Sequence, residues 1–164
     1  MENIIIKLVK EPYGRDKDIQ NLFCYIAGEC DSKEEHTRYC CGEGVPLAPG
    51  KAARRMISVQ KSFGKARRKY GKKASRRIYH YIVSFLLSMD DANCVKLVAM
   101  EIADIFSGQY QVYYGIHEDE AHLHIHYAIN AVSYVDGKKW HKSRKEIEKL
   151  EAQMRERAKE VLRR

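Results

Sequence analysis

At 164 residues, with 45% hydrophobic and 32% charged, the chain reads as one globular domain with a core rather than a disordered polymer. No apolar run approaches a membrane span and no signal peptide opens the sequence, which leads us to expect a soluble, cytoplasmic protein with no membrane partner. The formal net charge of +8 is uneven: Lys51–Arg77 holds twelve Lys or Arg and no acid, while the remainder carries 18 basic and 22 acidic residues.

In chain order, Asn3–Val9 (N-I-I-I-K-L-V) reads as a first strand, and Pro12, Tyr13 and Gly14 mark a turn. Asp16–Ala27 reads as a helix. Asp16 or Asp18 is its N-cap, Ile19, Leu22, Phe23 and Ile26 form its apolar face, and Gly28 stops it. Residues 29–49 are irregular, with a short strand near Thr37–Cys41. The five cysteines are expected to be reduced, and Cys30, His36, Cys40 and Cys41 fit no usual zinc spacing.

Lys51–Phe63 reads as a helix, followed by a basic connection over Gly64–Ser75 and an apolar strand over Arg76–Leu86. An acid-free basic segment suits a polyanion, most commonly nucleic acid, with Arg54, Arg55, Arg67, Arg68, Lys69, Arg76 and Arg77 as the candidate contacts. A merely solvated face is the alternative. A membrane fits less well, because no broad apolar face with aromatic anchors accompanies the charge. Asp91 caps a helix running through Phe106, which turns Val95, Val98, Ile102, Ile105 and Phe106 inward. Asp136-Gly137 signals a turn, and Ser143-x-x-Glu146 opens a last helix carrying Ile147, Leu150, Met154 and Val161.

Between these lies His117–Asn130, H-E-D-E-A-H-L-H-I-H-Y-A-I-N, which contains four of the seven histidines. Leu123, Ile125, Tyr127 and Ile129 alternate with His122, His124, His126 and Asn130, the pattern of a strand with one buried face. Tyr110–Ile116 is a strand of its own, and Glu118–Ala121 is the hairpin loop. Pairing His117 with His122 sets Gly115 opposite His124 and Tyr113 opposite His126, and brings His117 onto the histidine face. Converging imidazoles are a divalent-cation site with positions left for substrate oxygen or water, the alternative being an exposed histidine-rich surface. His80 is either a site residue or a satisfied strand histidine. The elements give an α+β fold, an antiparallel sheet with helices on one face and the histidine site on the other.

His117-x-Asp119…His122-x-His124-x-His126-x-x-x-Asn130 resembles the third motif of the conjugative relaxases, the mobilisation nucleases of plasmids and integrative elements. It is closest in pattern to the branch containing the agrobacterial border endonuclease. Ile4–Ile26 resembles the opening strand and tyrosine-bearing helix of that family, Tyr79–Phe85 its central strand, and Ser133–Lys139 the segment after the third motif. The resemblance covers most of the chain and implies a single relaxase catalytic domain over residues 1–164, shorter than relaxases that carry further helices and a helicase or primase domain, and so either a complete, compact enzyme or a catalytic domain cut from a longer one.

It also implies site residues: His117, His124 and His126 as metal ligands, Asp119 as acidic partner, Tyr25 as nucleophile, and His122 as a supporting histidine outside the ligand set. Tyr13 and Tyr39 are the reserve nucleophiles, and Tyr113 packs beside the metal. The implied cofactor is a divalent metal, Mn²⁺ or Mg²⁺ first, with Zn²⁺, Co²⁺ and Ni²⁺ as alternatives. The implied partners are single-stranded DNA at an origin of transfer, accessory DNA-binding proteins and a coupling protein, in a bacterium or its mobile element.

A nuclease that conserves phosphodiester energy needs a protein nucleophile. Tyrosine, with a pKa near 10, serves only beside a base or cation that favours the phenolate. The expected function is therefore metal-dependent DNA nicking and joining through a 5′-phosphotyrosine. Two alternatives remain: a histidine-metal phosphodiesterase using water, and a non-catalytic accessory protein of the same fold.

Overall fold

The computed structural model of the chain describes residues 4–29, 36–66, 75–85, 92–118 and 122–164. Along it run β1 (Ile4–Leu8), α1 (Asp16–Ala27), β2 (His36–Glu43), α2 (Pro49–Ser62), β3 (Ile78–Phe85), α3 (Ala92–Ser107), β4 (Val112–Glu118), β5 (Leu123–Asn130) and α4 (Arg144–Leu162). The strands form one antiparallel sheet in the order β1-β3-β5-β4-β2, so the histidine strand lies at its centre. Among the described residues no helix is long and apolar enough to cross a membrane.

Local chemistry sets most of these boundaries. Asp18 accepts from the Arg15 backbone N–H at 3.2 Å, closing the first turn of α1, and Gly28 ends the helix at φ 77°. The cap is thus Arg15 with Asp18 reaching back, rather than Asp16 or Asp18 itself. Pro49 opens α2, where its missing N–H costs nothing. Ser143 and Glu146 complete a reciprocal capping box on α4, at 3.2 and 2.8 Å. The strand near residues 37–41 is longer than expected, eight residues, because it pairs along the whole of β4.

Two expectations are corrected. In the hairpin, His117 pairs with His124 and Gly115 with His126, two residues away from the predicted register. A two-residue shift leaves every side chain on the face assigned to it, so the histidine face survives the error. The helices, expected on one face, occupy both. α3 and α4 cover Tyr81, Val83, Tyr114, Ile116, Ile125, Tyr127 and Ile129, while α1 and α2 pack on Ile78, Tyr113 and Ala128, on the same face as the histidines.

A buried polar network fixes α2 to that face. Gln60 Nε2 donates to Asn130 Oδ1 at 2.9 Å and to the Arg77 carbonyl at 3.0 Å, and Arg77 Nε donates to Gln60 Oε1 at 2.8 Å. Asn130 Nδ2 donates in turn to Gln111 Oε1 at 2.9 Å. Arg77 completes the network with an ion pair to Asp16 at 2.9 Å, which anchors the start of α1. With one end tied there, α1 runs along the face and delivers its last turn to the histidines.

Candidate active site

His117, His124 and His126 are all buried, and each offers a ring nitrogen within 4.8 Å of the others. The ring centroids of His117 and His126 are 4.5 Å apart, and those of His124 and His126 are 4.9 Å apart. Among the described residues this is the one such cluster of His, Cys, Asp or Glu.

The end of α1 builds one wall of the cluster. A Cβ on Gly115 would lie 2.5 Å from the Ile26 carbonyl oxygen, so glycine is what lets α1 approach this closely. The place of the missing side chain is filled by that carbonyl. His117 Nε2 donates to the same oxygen at 3.0 Å. A carbonyl only accepts, so the His117 proton is on Nε2 and its lone pair on Nδ1.

His126 is held from the other side. Its Nδ1 lies 2.9 Å from Nε2 of His80, whose Nδ1 lies 2.7 Å from the Tyr13 hydroxyl. Its Nε2 is buried and has no hydrogen-bond partner among the described residues. Leaving such a group unpaired costs about 1–3 kcal/mol, and a cation in the cluster would satisfy it. Burial, reinforced by the charges of neighbouring histidines, pushes His126 down to about 2, and burial with the charge of His117 pushes His80 down to about 4. Both rings are therefore neutral at neutral pH, the form that binds a metal. Three imidazoles with one orphaned nitrogen fit a divalent cation.

Tyr25 projects from the last turn of α1, its ring edge-on to His117 at 4.9 Å and to His126 at 5.1 Å. The reserve tyrosines are placed differently. Tyr39 packs with Tyr114 on the opposite face of the sheet. Tyr13 is buried with its hydroxyl on His80, and burial, followed by the charge of Glu11, raises it to about 12. Tyr113 shares the histidine face, but it stacks on Phe23 at 4.8 Å and donates to the Leu47 carbonyl at 2.7 Å, away from the cluster.

His122 is exposed and lies one residue before the start of β5. Asp119 lies outside the described residues, as do Arg67, Arg68 and Lys69. Asn130 belongs to the buried network under α2 and not to the cluster. Arg54 and Arg55 are exposed on α2 beside Lys51. Two of the candidate DNA contacts are engaged by the protein itself. Arg77 is only 3% exposed, and its guanidinium is committed to Asp16, Gln60 and the Gly14 carbonyl. Arg76 donates to the carbonyls of Val9, Lys10 and Glu11. Both sit where the chain enters the sheet, and unsatisfied carbonyls there compete for their charge. As for a zinc cluster, Cys40 and Cys41 are adjacent on a strand and point to opposite faces.

Sequence reasoning left His80 undecided and missed its contact with Tyr13. The alternation of β3 fixed which residues share a face with His80, but nothing local showed that β3 adjoins β5.

A three-histidine metal site under a tyrosine, set in the central strands of an antiparallel sheet with a basic helix on the same face, defines a metal-using nuclease. Residues 25–161 match the relaxase family, described as MobA/VirD2-like, nuclease domain, and the chain belongs to that family. None of the curated proteins compared with the chain matches it.

Proposed function

We propose that the protein nicks and rejoins one strand of DNA at an origin of transfer, with Tyr25 as nucleophile and a 5′-phosphotyrosine as intermediate. The observation that carries this reading is the Tyr25 ring, about one ring's width from both His117 and His126. Tyr25 Oη attacks the scissile phosphorus, the P–O3′ bond breaks, and the phenol proton passes to the departing 3′-oxygen. Asp119 is the candidate to carry that proton. A cation held by His117, His124 and His126 withdraws charge from a non-bridging phosphate oxygen when bound. Imidazole donors suit Mn²⁺, Co²⁺ or Zn²⁺ better than Mg²⁺. The phosphotyrosine ester conserves the energy of the broken bond, so attack by a 3′-hydroxyl runs the step backwards and rejoins strands. The exposed Arg54 and Arg55 meet the phosphate backbone.

The test is incubation with single-stranded origin DNA and Mn²⁺, followed by a denaturing gel. Wild type gives a slow covalent band, and mass spectrometry of the digested adduct finds the nucleotide on the peptide containing Tyr25. Tyr25→Phe removes only the hydroxyl and abolishes the band while leaving metal and DNA binding intact. Cleavage without an adduct would indicate activated water, and DNA binding without cleavage an accessory protein. A full adduct yield from Tyr25→Phe moves the nucleophile elsewhere.

A further inference from the structure

His80 has both ring nitrogens engaged, one by a metal-site histidine and one by a tyrosine 67 residues away in the chain. That tyrosine is held with some effort. Tyr13 has φ 52°, the only positive φ outside glycine among the described residues. Its loop is clamped on either side: Arg76 donates to the carbonyls of Val9, Lys10 and Glu11, Arg77 Nη1 donates to the Gly14 carbonyl at 3.3 Å, and the Arg77 backbone N–H donates to the Pro12 carbonyl at 2.9 Å. Val9 N donates to the carbonyl of His80 itself at 2.8 Å. A left-handed tyrosine persists only where its surroundings over-determine it, and such strain gathers at functional sites.

The chemistry of the chain Tyr13–His80–His126 allows two proton arrangements. Each neutral imidazole carries one N–H, and only one proton fits between His80 Nε2 and His126 Nδ1. If the Tyr13 hydroxyl donates to His80 Nδ1, then His80 Nε2–H donates to His126 Nδ1, and His126 carries its proton on Nε2. That arrangement covers the nitrogen that faces the cluster. If His126 Nδ1–H donates to His80 Nε2, then His80 Nδ1–H donates to Tyr13 Oη, and the His126 Nε2 lone pair is exposed to the cluster. Only the second arrangement makes His126 a ligand through Nε2, the atom left without a partner.

We propose that Tyr13 and His80 are positioning residues for the metal centre: Tyr13 Oη accepts from His80, His80 accepts from His126, and His126 is thereby held with its Nε2 lone pair toward the cation. This inference rests on the metal reading of the histidine cluster. It does not depend on which tyrosine is the nucleophile.

The test is Mn²⁺ calorimetry on wild type, Tyr13→Phe, His80→Leu and His80→Gln, with thermal melts recorded beside it. His80→Leu should weaken Mn²⁺ binding roughly 10–100-fold, the usual cost of losing a ligand's outer partner, and Tyr13→Phe should fall toward the lower end of that range. His80→Gln offers an amide oxygen to His126 and an amide N–H to Tyr13, and should recover most of the affinity. A purely structural role would lower the melting temperature without this pattern of loss and rescue. Long-range ¹H–¹⁵N spectra of the Zn²⁺-loaded protein should show the His126 proton on Nδ1. Equal Mn²⁺ affinity in all four proteins, or a proton on His126 Nε2, overturns the proposal while leaving the metal site standing. If His80→Leu fails to fold, Tyr13→Phe, which keeps the ring, decides. No Mn²⁺ binding by wild type would overturn the metal reading and this inference together, whereas the Tyr25 assignment is judged separately by the covalent adduct.

Discussion

The two faces of β5 are built from neighbouring residues and obey opposite rules. Toward α3 and α4 the strand presents Ile125, Tyr127 and Ile129, all fully buried among aliphatic and aromatic side chains. Toward α1 it presents His124 and His126, also buried, but packed against other imidazoles, a tyrosine ring and each other. On the first face burial itself is the stabilising term, at about 1.5–3 kcal/mol for each large apolar side chain. On the second, burial is a cost that hydrogen bonds only partly offset, and an orphaned nitrogen remains. The apolar face therefore holds the sheet in place, while the polar face, unable to satisfy itself, is organised for a ligand.

Adjacent substitutions should separate these roles. His124→Ala is expected to abolish cleavage and weaken Mn²⁺ binding more than 100-fold, on the order of what loss of a direct ligand implies beyond an outer partner's 10–100-fold. The melting temperature of the metal-free protein should change little. Ile125→Ala, one residue along, should cost about 2–5 kcal/mol in denaturant unfolding and leave the affinity of the folded protein for Mn²⁺ nearly unchanged. Comparable affinity losses in both variants would mean that the faces are not energetically distinct.

Gly115→Ala tests the wall between helix and sheet. Its new methyl meets the Ile26 carbonyl, so α1 must shift, at a cost of about 1–3 kcal/mol. Because that carbonyl also accepts from His117, the variant should lose metal affinity as well as stability in paired calorimetry and melting experiments. Stability loss alone would show that the His117 contact is incidental.

A smaller, pH-dependent effect is expected where α1 begins. Burial pushes the Asp16 carboxyl up, but hydrogen bonds and charge from Lys61 and Arg77 outweigh it and leave the group below 3.8, the ordinary value. A depressed carboxyl stabilises the fold above its unfolded value, and that contribution disappears as pH falls through the folded one. Asp16→Asn should therefore be less stable than wild type at pH 7, with the gap narrowing steadily as urea titrations move to lower pH. A gap independent of pH would remove the ion pair from the account. Smallest of all, neutralising Arg54 and Arg55 to Gln should flatten the salt dependence of single-stranded DNA binding by up to about 1.4 units, at roughly 0.7 per lost phosphate contact. An unchanged slope would turn that side of α2 away from the DNA.

Strand alternation in His122–Asn130 was readable because period two is a local property, and it put His124 and His126 on one face whatever their partners. The span of α1 was readable for the same kind of reason: its apolar spacing and Gly28 lie within a dozen residues of one another. Pairing was not. A shift of two residues in the hairpin preserves every face assignment, so hydrophobic pattern alone is blind to whether His117 meets His122 or His124. Amphipathicity likewise showed that α1 buries one side, but not which face of the sheet receives it. The bonds of Arg77 to Gly14 and Asp16, the seat of Ile26 on Gly115 and the contact of Tyr13 with His80 all join residues more than 60 apart in the chain. They form only when β3 is laid beside β5 and α1 is drawn across the histidine face, an arrangement fixed by packing and buried hydrogen bonds rather than by local propensity.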